Sequence, residues 1–237
     1  MKARTITLFL LICFFTSLSR YADAEESSID RWILVTGEGM VEAPPDLAIL
    51  RLGVKTTAKV AQQATESNNE SIKKILNTLV EEDISQDDLE TLNFKISPLR
   101  EYRKNQPPLV IGYEVSNTLL VKVRDLVKVG EIMQLVVDSG GNDFESLTFT
   151  VEDTLPHMEE ARVLAMENAL YKAEMMTEAL HIGVGQPLTI KELSQGSRPI
   201  QARRMLESSV MMAKEVPIQA PEELEVRVKV EVKFALN

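Results

Sequence analysis

Residues 33–55 read ILVTGEGMVEAPPDLAILRLGVK and predict two long β-strands joined at a proline corner, Ala43-Pro44-Pro45-Asp46. Successive side chains of a strand point to opposite faces, and alternate positions here are apolar or glycine. These positions are Val35, Gly37, Gly39 and Val41 in the first strand and Ala48, Leu50, Leu52 and Val54 in the second. We therefore predict a hairpin with one apolar face, which other strands and helices of the chain must cover.

Gly37 and Gly39 weaken a strand, so they predict either a β-bulge or close packing by another element. Gly37-Glu38-Gly39 lacks the third glycine and the lysine of a phosphate loop, and Glu38 would repel a phosphate. A phosphate site is therefore disfavoured.

The N-terminus has the three parts of an export signal. Two basic residues open it, an apolar core follows at 6–15, and Ala22-Asp23-Ala24 is a small-residue cleavage pattern. The apolar run of roughly ten residues is about half of what a membrane-spanning helix needs. We predict a signal peptide over residues 1–24, cut after Ala24, and a flexible lead-in over 25–31. A retained N-terminal anchor is the alternative.

Cys13 is the only cysteine and lies inside this apolar core. A lipoprotein signal would place a small residue before its cysteine, whereas Ile12 precedes Cys13, so lipidation is not expected. Removal of the signal leaves a chain without cysteine, which excludes disulfides, thiol catalysis and cysteine-ligated metals. The mature chain must then be stabilised by its core alone.

The remaining chain is acidic. Lys2, Arg4, Arg20 and Asp23 lie within the predicted signal, so residues 25–237 contain 23 basic and 35 acidic residues, a net charge of −12. Such a surface repels nucleic-acid phosphates and anionic lipid head groups, which makes both poor partners. The length suits one large domain or two small ones.

Hydrophobic periodicity predicts three helices and five strands beyond the opening pair. The helices cover 58–81, 126–137 and 154–183, and the strands cover 89–98, 110–123, 144–151, 187–193 and 224–234. Nearly all strands are half polar, which is typical of antiparallel sheet with one wet face. We predict an α+β fold, mainly antiparallel sheet of seven to eight strands backed by about three helices. The order of elements hints at two related halves.

Several positions mark the ends and faces of these elements. Asp125 is predicted to cap the second helix, which Gly140 ends, and Gly183 to close the third. The third helix has an apolar stripe of Ala161, Ala165, Ala169, Ala173, Met176 and Leu180, and the strand 89–98 has Leu92, Phe94 and Ile96 on one face. The irregular segment 194–221 is predicted to be a mobile excursion.

Taken in order, a set of short motifs resembles the SIMPL-domain family. They are Val35-Thr36-Gly37-Glu38-Gly39, Pro45-Asp46, Asp88-Leu89-Glu90-Thr91, Gly112-Tyr113-Glu114-Val115-Ser116-Asn117, Lys172-Ala173, Pro217-Ile218 and Leu224-Glu225-Val226. The resemblance spans nearly the whole mature chain, so we predict one SIMPL-like domain over residues 32–237.

The family includes exported bacterial proteins described as YggE-like oxidative-stress-defence proteins and as periplasmic immunogenic antigens. The resemblance implies a periplasmic or secreted location, an α+β fold and a tendency to self-associate. It supplies no agreed enzymatic activity, so there are no catalytic residues to carry over.

The residues themselves gather no reactive site. His157 and His181 lie at opposite ends of one helix, about 36 Å apart at roughly 1.5 Å per residue, so they cannot share a metal or a catalytic dyad. No serine lies in a nucleophile elbow. The acidic turn 82–88 lacks the alternating ligands and central glycine of a calcium loop, so a solvated turn is favoured. We predict no catalytic, cofactor-binding or metal site.

Methionine is in excess at Met166, Met175 and Met176 on the third helix and at Met205, Met211 and Met212 in the excursion. These thioethers could serve as an oxidant sink or as ligands for copper(I), but methionine most often fills cores and interfaces. Three hypotheses follow. The first is an exported non-enzymatic protein that assembles with itself or with envelope partners; the second is oxidative-stress protection through surface methionines. The third is a small-ligand-binding or hydrolytic envelope protein with a cleft near Arg100, Tyr102 or Tyr113.

Overall fold

The computed structural model describes residues 31–193 and 218–237, which form seven strands and three α-helices. They are β1 (Trp32–Ala43), β2 (Leu47–Ala58), α1 (Ala61–Glu81), β3 (Leu89–Glu101), β4 (Leu109–Val123), α2 (Val129–Asp138), β5 (Asp143–Thr150), α3 (Leu155–Glu178), β6 (Val184–Glu192) and β7 (Leu224–Leu236). Every strand pair is antiparallel. The predicted α+β fold with mainly antiparallel sheet is confirmed.

Three predictions fall on residues outside these ranges. The signal peptide with its cleavage after Ala24 and the lead-in up to residue 30 are among them, and so is most of the predicted excursion 194–221, of which only residues 218–221 are described. These assignments stay predictions.

The first two strands do not form the predicted hairpin. β1 pairs with β7, whereas β2 pairs with β4 and β5, so the chain passes from one sheet to the other at the proline corner. Two consecutive prolines lack the N–H groups that a shared ladder would need. The predicted faces are nonetheless right, because the alternate positions of both strands are buried or half-buried. Alternation identifies the buried face of a strand but not its partner.

The larger sheet has the strand order β3-β4-β2-β5. Its chain order, β2-α1-β3-β4-α2-β5, is the ferredoxin-like arrangement. One face of the sheet packs against both helices. The core between them consists of Ala48, Leu50, Leu52, Val54, Ile72, Ile75, Leu79, Leu119, Val121, Val123, Val129, Ile132 and Val136.

A buried amide fastens α1 to the centre of this sheet. The Nδ2 of Asn68 donates hydrogen bonds to the carbonyl oxygens of Val54 at 2.9 Å and Val115 at 3.3 Å. Val54 lies in β2 and Val115 in β4, so one side chain holds the helix over the junction of the two central strands. The Oδ1 atoms of Asn68 and Asn117 are buried and accept no hydrogen bond from the described residues.

The predicted ends of the second helix are confirmed with one shift. The Oδ1 of Asp125 accepts a hydrogen bond from the N–H of Val127 at 3.2 Å, as expected of a cap. A 3₁₀ turn, Leu126–Lys128, follows the cap, so the α-helix begins at Val129. Gly140, with a φ of +104°, takes the left-handed conformation after the helix end.

The smaller sheet has the order β1-β7-β6, and α3 packs against β1 and β7. Gly37 and Gly39 face the alanines of α3. A Cβ on Gly37 would lie 2.0 Å from the carbonyl oxygen of Ala165, and a Cβ on Gly39 would lie 2.0 Å from that of Ala161. The β1–β7 register is unbroken, so these glycines mark close packing rather than a bulge.

Two details of the predicted α3 are wrong. Met176 and Leu180 are 61% and 68% exposed, and the stripe continues instead at Thr177, because Thr177 lies four residues after Ala173. The helix ends at Glu178 rather than at Gly183. His181 takes the left-handed conformation beyond the helix end, with a φ of +55°.

The two sheet-and-helix units are nested in the chain. β1 precedes the ferredoxin-like unit, and α3, β6 and β7 follow it. On the wet face of β7, Lys229 Nζ forms a cross-strand ion pair with Glu38 Oε1 of β1 at 2.7 Å, which lowers the pKa of Glu38. β7 is the central strand of the smaller sheet. Because it pairs with β1, it brings the two ends of the described chain together.

We predict that Gly37→Ala lowers the free energy of unfolding by at least about 1–3 kcal/mol. The added Cβ would clash with the backbone of α3, which cannot move aside as a flexible side chain can. Urea unfolding followed by circular dichroism measures the free energy of unfolding. Gly183→Ala is the matched control, since its Cβ would contact the Asn237 side chain at an ordinary 3.7 Å. Equal stability of both variants would contradict the proposed helix–strand contact.

Candidate interaction surface

The β3–β4 hairpin extends beyond the rest of its sheet. β3 and β4 pair from Leu89 opposite Val121 to Glu101 opposite Leu109, whereas the pairing of β4 with β2 stops at Tyr113. Residues 99–112 of the hairpin therefore lack a neighbouring strand on the β2 side, and residues 94–98 before them lie on the exposed edge strand of the sheet. We call residues 94–111 the hairpin end.

The hairpin end is apolar and uncovered. Phe94 and Ile96 lie opposite the buried Asn117 and Val115, yet they are 47% and 45% exposed. The predicted apolar face of β3 exists, but none of the helices in residues 31–193 and 218–237 covers it, because α1 packs over β2 and β4. The large apolar side chains exposed along this hairpin are Leu92, Phe94, Ile96, Tyr102, Leu109, Val110 and Ile111. Contiguous apolar exposure of this kind marks interaction surfaces.

The hairpin end is also cationic, in contrast to the acidic chain. It contains four basic residues, Lys95, Arg100, Arg103 and Lys104, and one acidic residue, Glu101. Arg103 Nη2 pairs with Glu101 Oε2 at 2.6 Å. Lys95, Arg100 and Lys104 are exposed and make no ion pair within residues 31–193 and 218–237. Three cations are thus available to a partner.

A second uncovered surface is the groove between α3 and β6, with a volume of about 710 Å³. Its walls and floor are Met166, Glu167, Leu170, Val184, Gly185, Gln186, Pro187, Phe234 and Asn237. β6 is the edge strand of the smaller sheet, and Ile190 on β6 is 56% exposed although it lies opposite the buried Val232. We call this surface the α3–β6 groove.

The α3 wall of this groove is acidic. The helix carries five carboxylates, all exposed: Glu159, Glu160, Glu167, Glu174 and Glu178. Both of its Lys and Arg side chains are already engaged. Arg162 pairs with Glu192 of β6 at 3.0 Å, and Lys172 Nζ donates to the carbonyl oxygen of Thr36 at 2.9 Å. The field at the rim of the groove is therefore negative.

The side chains singled out in the sequence do not converge. His157 is half-buried near the start of α3 and His181 is exposed beyond its end. Arg100 and Tyr102 lie on the hairpin end, and Tyr102 is 77% exposed, too open to form the wall of a cleft within this chain. Tyr113 is half-buried in β4. The two histidines lie at opposite ends of α3, as predicted, and the hypothesised cleft near Arg100, Tyr102 or Tyr113 is not formed by these side chains within the described residues.

The methionines of α3 are either half-buried or exposed. Met166 lines the α3–β6 groove, whereas Met175 and Met176 are 52% and 61% exposed on α3. Met205, Met211 and Met212 lie outside the described residues. Among residues 31–193 and 218–237, no three His, Cys, Asp or Glu side chains lie close enough together to hold a metal ion.

The strongest polar cluster was not found from the sequence. Arg124, just after β4, donates from Nη1 to Asp88 Oδ2 at 2.5 Å and from Nε and Nη2 to both carboxylate oxygens of Glu152 at 2.9 and 2.5 Å. These hydrogen bonds raise the pKa of Arg124 and lower that of Glu152. The N–H of Glu152 donates to Asp46 Oδ1 at 2.7 Å. The cluster links the proline corner, the segment before α3 and the end of β4, so its role is structural.

Two other charged contacts are isolated pairs. Asp143 raises the pKa of Lys55 through an ion pair of 2.9 Å. The Glu42 carboxylate raises the pKa of Glu223, because protonated Glu223 can donate a hydrogen bond to it and two carboxylates repel, so this pair stabilises the fold at acidic pH and loses that effect as the pH rises through the raised pKa. Neither pair gathers a third reactive group.

These observations define an α+β protein whose candidate functional features are two exposed apolar surfaces of opposite charge. The chain belongs to the SIMPL family, described as a protein family of unknown function (DUF541), whose profile matches residues 33–234. The resemblance inferred from the sequence is confirmed.

Relatives of this chain share most of its length. The 26 kDa periplasmic immunogenic protein of Brucella melitensis is 36% identical over 197 residues, which cover 80% of this chain and 79% of that protein. The uncharacterized protein YggE of Escherichia coli K12 is 25% identical over 204 residues, covering 86% of this chain and 80% of that protein. Both alignments include more than the length of either sheet-and-helix unit, so the relationship concerns the whole domain.

We predict that Arg124→Met lowers the melting temperature at pH 7 by about 2–4 °C, because Asp88 and Glu152 lose their shared cation. The pKa of Glu152 is lowered in the folded state, so its contribution is present above the ordinary value of 4.5 and is lost as the pH falls through the lowered pKa. The difference between wild type and variant should therefore shrink on acidification to about pH 3. Arg103→Met, which removes only an exposed pair, is the control; a pH-independent difference would contradict this account.

Proposed function

We propose that this protein is exported to the periplasm and functions without catalysis, by associating with copies of itself. The observation that carries the proposal is the hairpin end, with its contiguous exposed apolar side chains on an edge strand. Solvent exposure of Phe94, Ile96, Tyr102 and Ile111 is unfavourable in a monomer, at roughly 25 cal/mol per Å² of apolar area. Association removes that area from water.

The location rests on two supports. Residues 1–24 have the pattern of a signal peptide with cleavage after Ala24. Relatives that share four-fifths of the chain are named periplasmic proteins. Within the described residues, none of the helices has the length and apolar character needed to cross a membrane.

A chain from residue 25 to 237 should give oligomers in native mass spectrometry and in light scattering, with mass rising over a concentration series. Replacing Phe94 and Ile111 by Ser should shift the distribution toward monomer, because both side chains are exposed apolar area of the hairpin end. Val80→Ser, at a similarly exposed apolar position on α1 and away from both candidate surfaces, is the control. A wild-type chain that stays monomeric at every concentration would refute self-association.

A link to oxidative-stress defence is the second part of the proposal, and the exposed thioethers of Met175 and Met176 favour it. Methionine is oxidised reversibly to its sulfoxide, and exposed thioethers react before buried ones. An exposed side chain can accept this oxidation without disturbing the core, which suits a reusable oxidant sink.

Dilute hydrogen peroxide should oxidise Met175 and Met176 before Met133 and Met166, which are half-buried. Peptide mass spectrometry measures the order, and thermal unfolding should show an unchanged melting temperature after the first two oxidations. The double variant Met175→Leu, Met176→Leu supplies the baseline. If the exposed pair is no more reactive than Met133, the oxidant-sink idea fails.

A small-ligand-binding or hydrolytic envelope protein is the alternative, and the α3–β6 groove favours it over the Arg100 region. Its volume of about 710 Å³ lies within the range of ligand pockets, and Glu167, Gln186 and Asn237 could orient a ligand. Native mass spectrometry of the same sample would reveal a retained ligand as a constant added mass.

A further inference from the structure

The two uncovered surfaces of this chain are complementary. The hairpin end extends past the last residue pair of β4 with β2, is apolar, and carries Lys95, Arg100 and Lys104, which make no ion pair in the described part of the chain. The α3–β6 groove is concave and apolar, with Glu167 in its lining and Glu174 about two helical turns further along α3. The groove can accept the apolar side chains of the hairpin end, and the carboxylates of α3 can pair with its cations.

We propose that the hairpin end of one copy docks in the α3–β6 groove of a second copy, with its cations against the carboxylates of α3. This proposal rests on the self-association proposed above and assigns the two faces of the contact. The faces share no residue, so the contact can be heterologous: every copy can offer its hairpin end to one neighbour and accept the hairpin end of another. Such contacts form rings when the rotation closes and filaments when it does not.

Docking through side chains fits the edge strands better than a continued sheet. β3 contains Pro98 and β6 contains Pro187, and proline has no N–H to donate to an added strand. Apolar side chains of the hairpin end, Tyr102 and Ile111 among them, can instead enter the groove beside Met166, Leu170 and Phe234. The cations then remain at the rim, where they pair with carboxylates and set orientation.

A second copy is favoured over an anionic membrane as the occupant. The hairpin end has the apolar and basic character of a lipid-binding tip, but the mature chain has a net charge of −12 and is repelled by an anionic surface. The carboxylates on α3 offer the hairpin end a negative partner without that long-range cost, together with a groove that accepts its apolar side chains.

The test reverses charge on each face of the chain 25–237. One variant carries Arg100→Glu and Lys104→Glu, a second carries Glu167→Lys and Glu174→Lys, and a third combines all four. Each single-face variant should weaken association at least about tenfold in light scattering, because like charges then meet across the contact. The combined variant should restore association, which a folding defect would not do. Lys73→Glu with Lys74→Glu, on the exposed face of α1, is the control for net charge and should leave association unchanged.

Cysteine cross-linking gives an independent readout, because residues 25–237 contain no cysteine. A chain with Tyr102→Cys and Leu170→Cys should form a ladder of intermolecular disulfides under mild oxidation. A chain with Tyr102→Cys and Lys73→Cys should give fewer and slower cross-links. Equal ladders from the two chains would overturn the assignment.

The outcomes separate the two proposals. A wild-type chain that remains monomeric overturns self-association and the docking contact together. A wild-type chain that assembles, with association unchanged in both single-face variants, overturns the docking contact alone. Association unchanged by Arg100→Glu and Lys104→Glu, with loss of binding to vesicles of phosphatidylcholine and phosphatidylglycerol, would assign the hairpin end to membranes instead.

Discussion

The close contact between the glycines of β1 and the alanines of α3 determines the shape of the smaller unit. Neither Gly37 nor Gly39 has a side chain, so the carbonyl oxygens of Ala165 and Ala161 lie where a Cβ would be. The helix backbone therefore rests on β1, at one edge of the sheet. Strands lie about 4.8 Å apart and a helix is about 10 Å wide, so one helix covers about two strands. Among the described residues, α3 therefore leaves the third strand, β6, uncovered, and the groove lies beside it.

The larger sheet has an uncovered edge for a related reason. Asn68 fixes α1 over the junction of β2 and β4, the two central strands. β3 then lies beyond the helix, and its apolar face at Phe94 and Ile96 is exposed although the sequence alternates as if it were buried. Each unit thus leaves one edge strand bare because its helix is held elsewhere by short-range contacts. The two bare edges differ in charge, positive at the hairpin end and negative beside α3.

The sequence predicts features that depend on the local periodicity of apolar residues, such as the buried face of a strand. It does not predict which strands or helices distant in the chain pack together. The buried faces of β1, β2, β4 and β7 could be predicted because alternation is local. The pairing of β1 with β7 could not, since nearly 200 residues separate Val35 from Val232. Glycine at 37 and 39 predicted either a β-bulge or close packing, but neither which of the two nor which helix would pack there. The end of α3 was missed because His181, rather than a glycine, takes the left-handed conformation.

The candidate surfaces could likewise be predicted only where they depend on a local pattern. Leu92, Phe94 and Ile96 could be recognised as an apolar face, but whether a helix covers that face depends on where α1 is anchored. The α3–β6 groove has no sequence signal, because it exists only once β6 pairs with β7 beside a helix seated on β1. The cluster around Arg124 was missed for a similar reason: Asp88 and Glu152 are 64 residues apart in the chain, and no local pattern relates them.

For the docking contact proposed above, the nested order of the two units gives that cluster a second role. The ferredoxin-like unit is joined to the smaller unit by two crossings, at the proline corner after Ala43 and at the segment around Val151. Asp46 holds the second crossing through the N–H of Glu152, and Ala43, Val151 and Leu224 pack together beneath it. A single crossing would let the two units rotate relative to each other, but two crossings linked to each other restrict that rotation. A heterologous contact repeats regularly only if the donating and accepting surfaces keep a fixed relation within each copy. The tied crossings supply that rigidity, because the hairpin end belongs to one unit and the α3–β6 groove to the other.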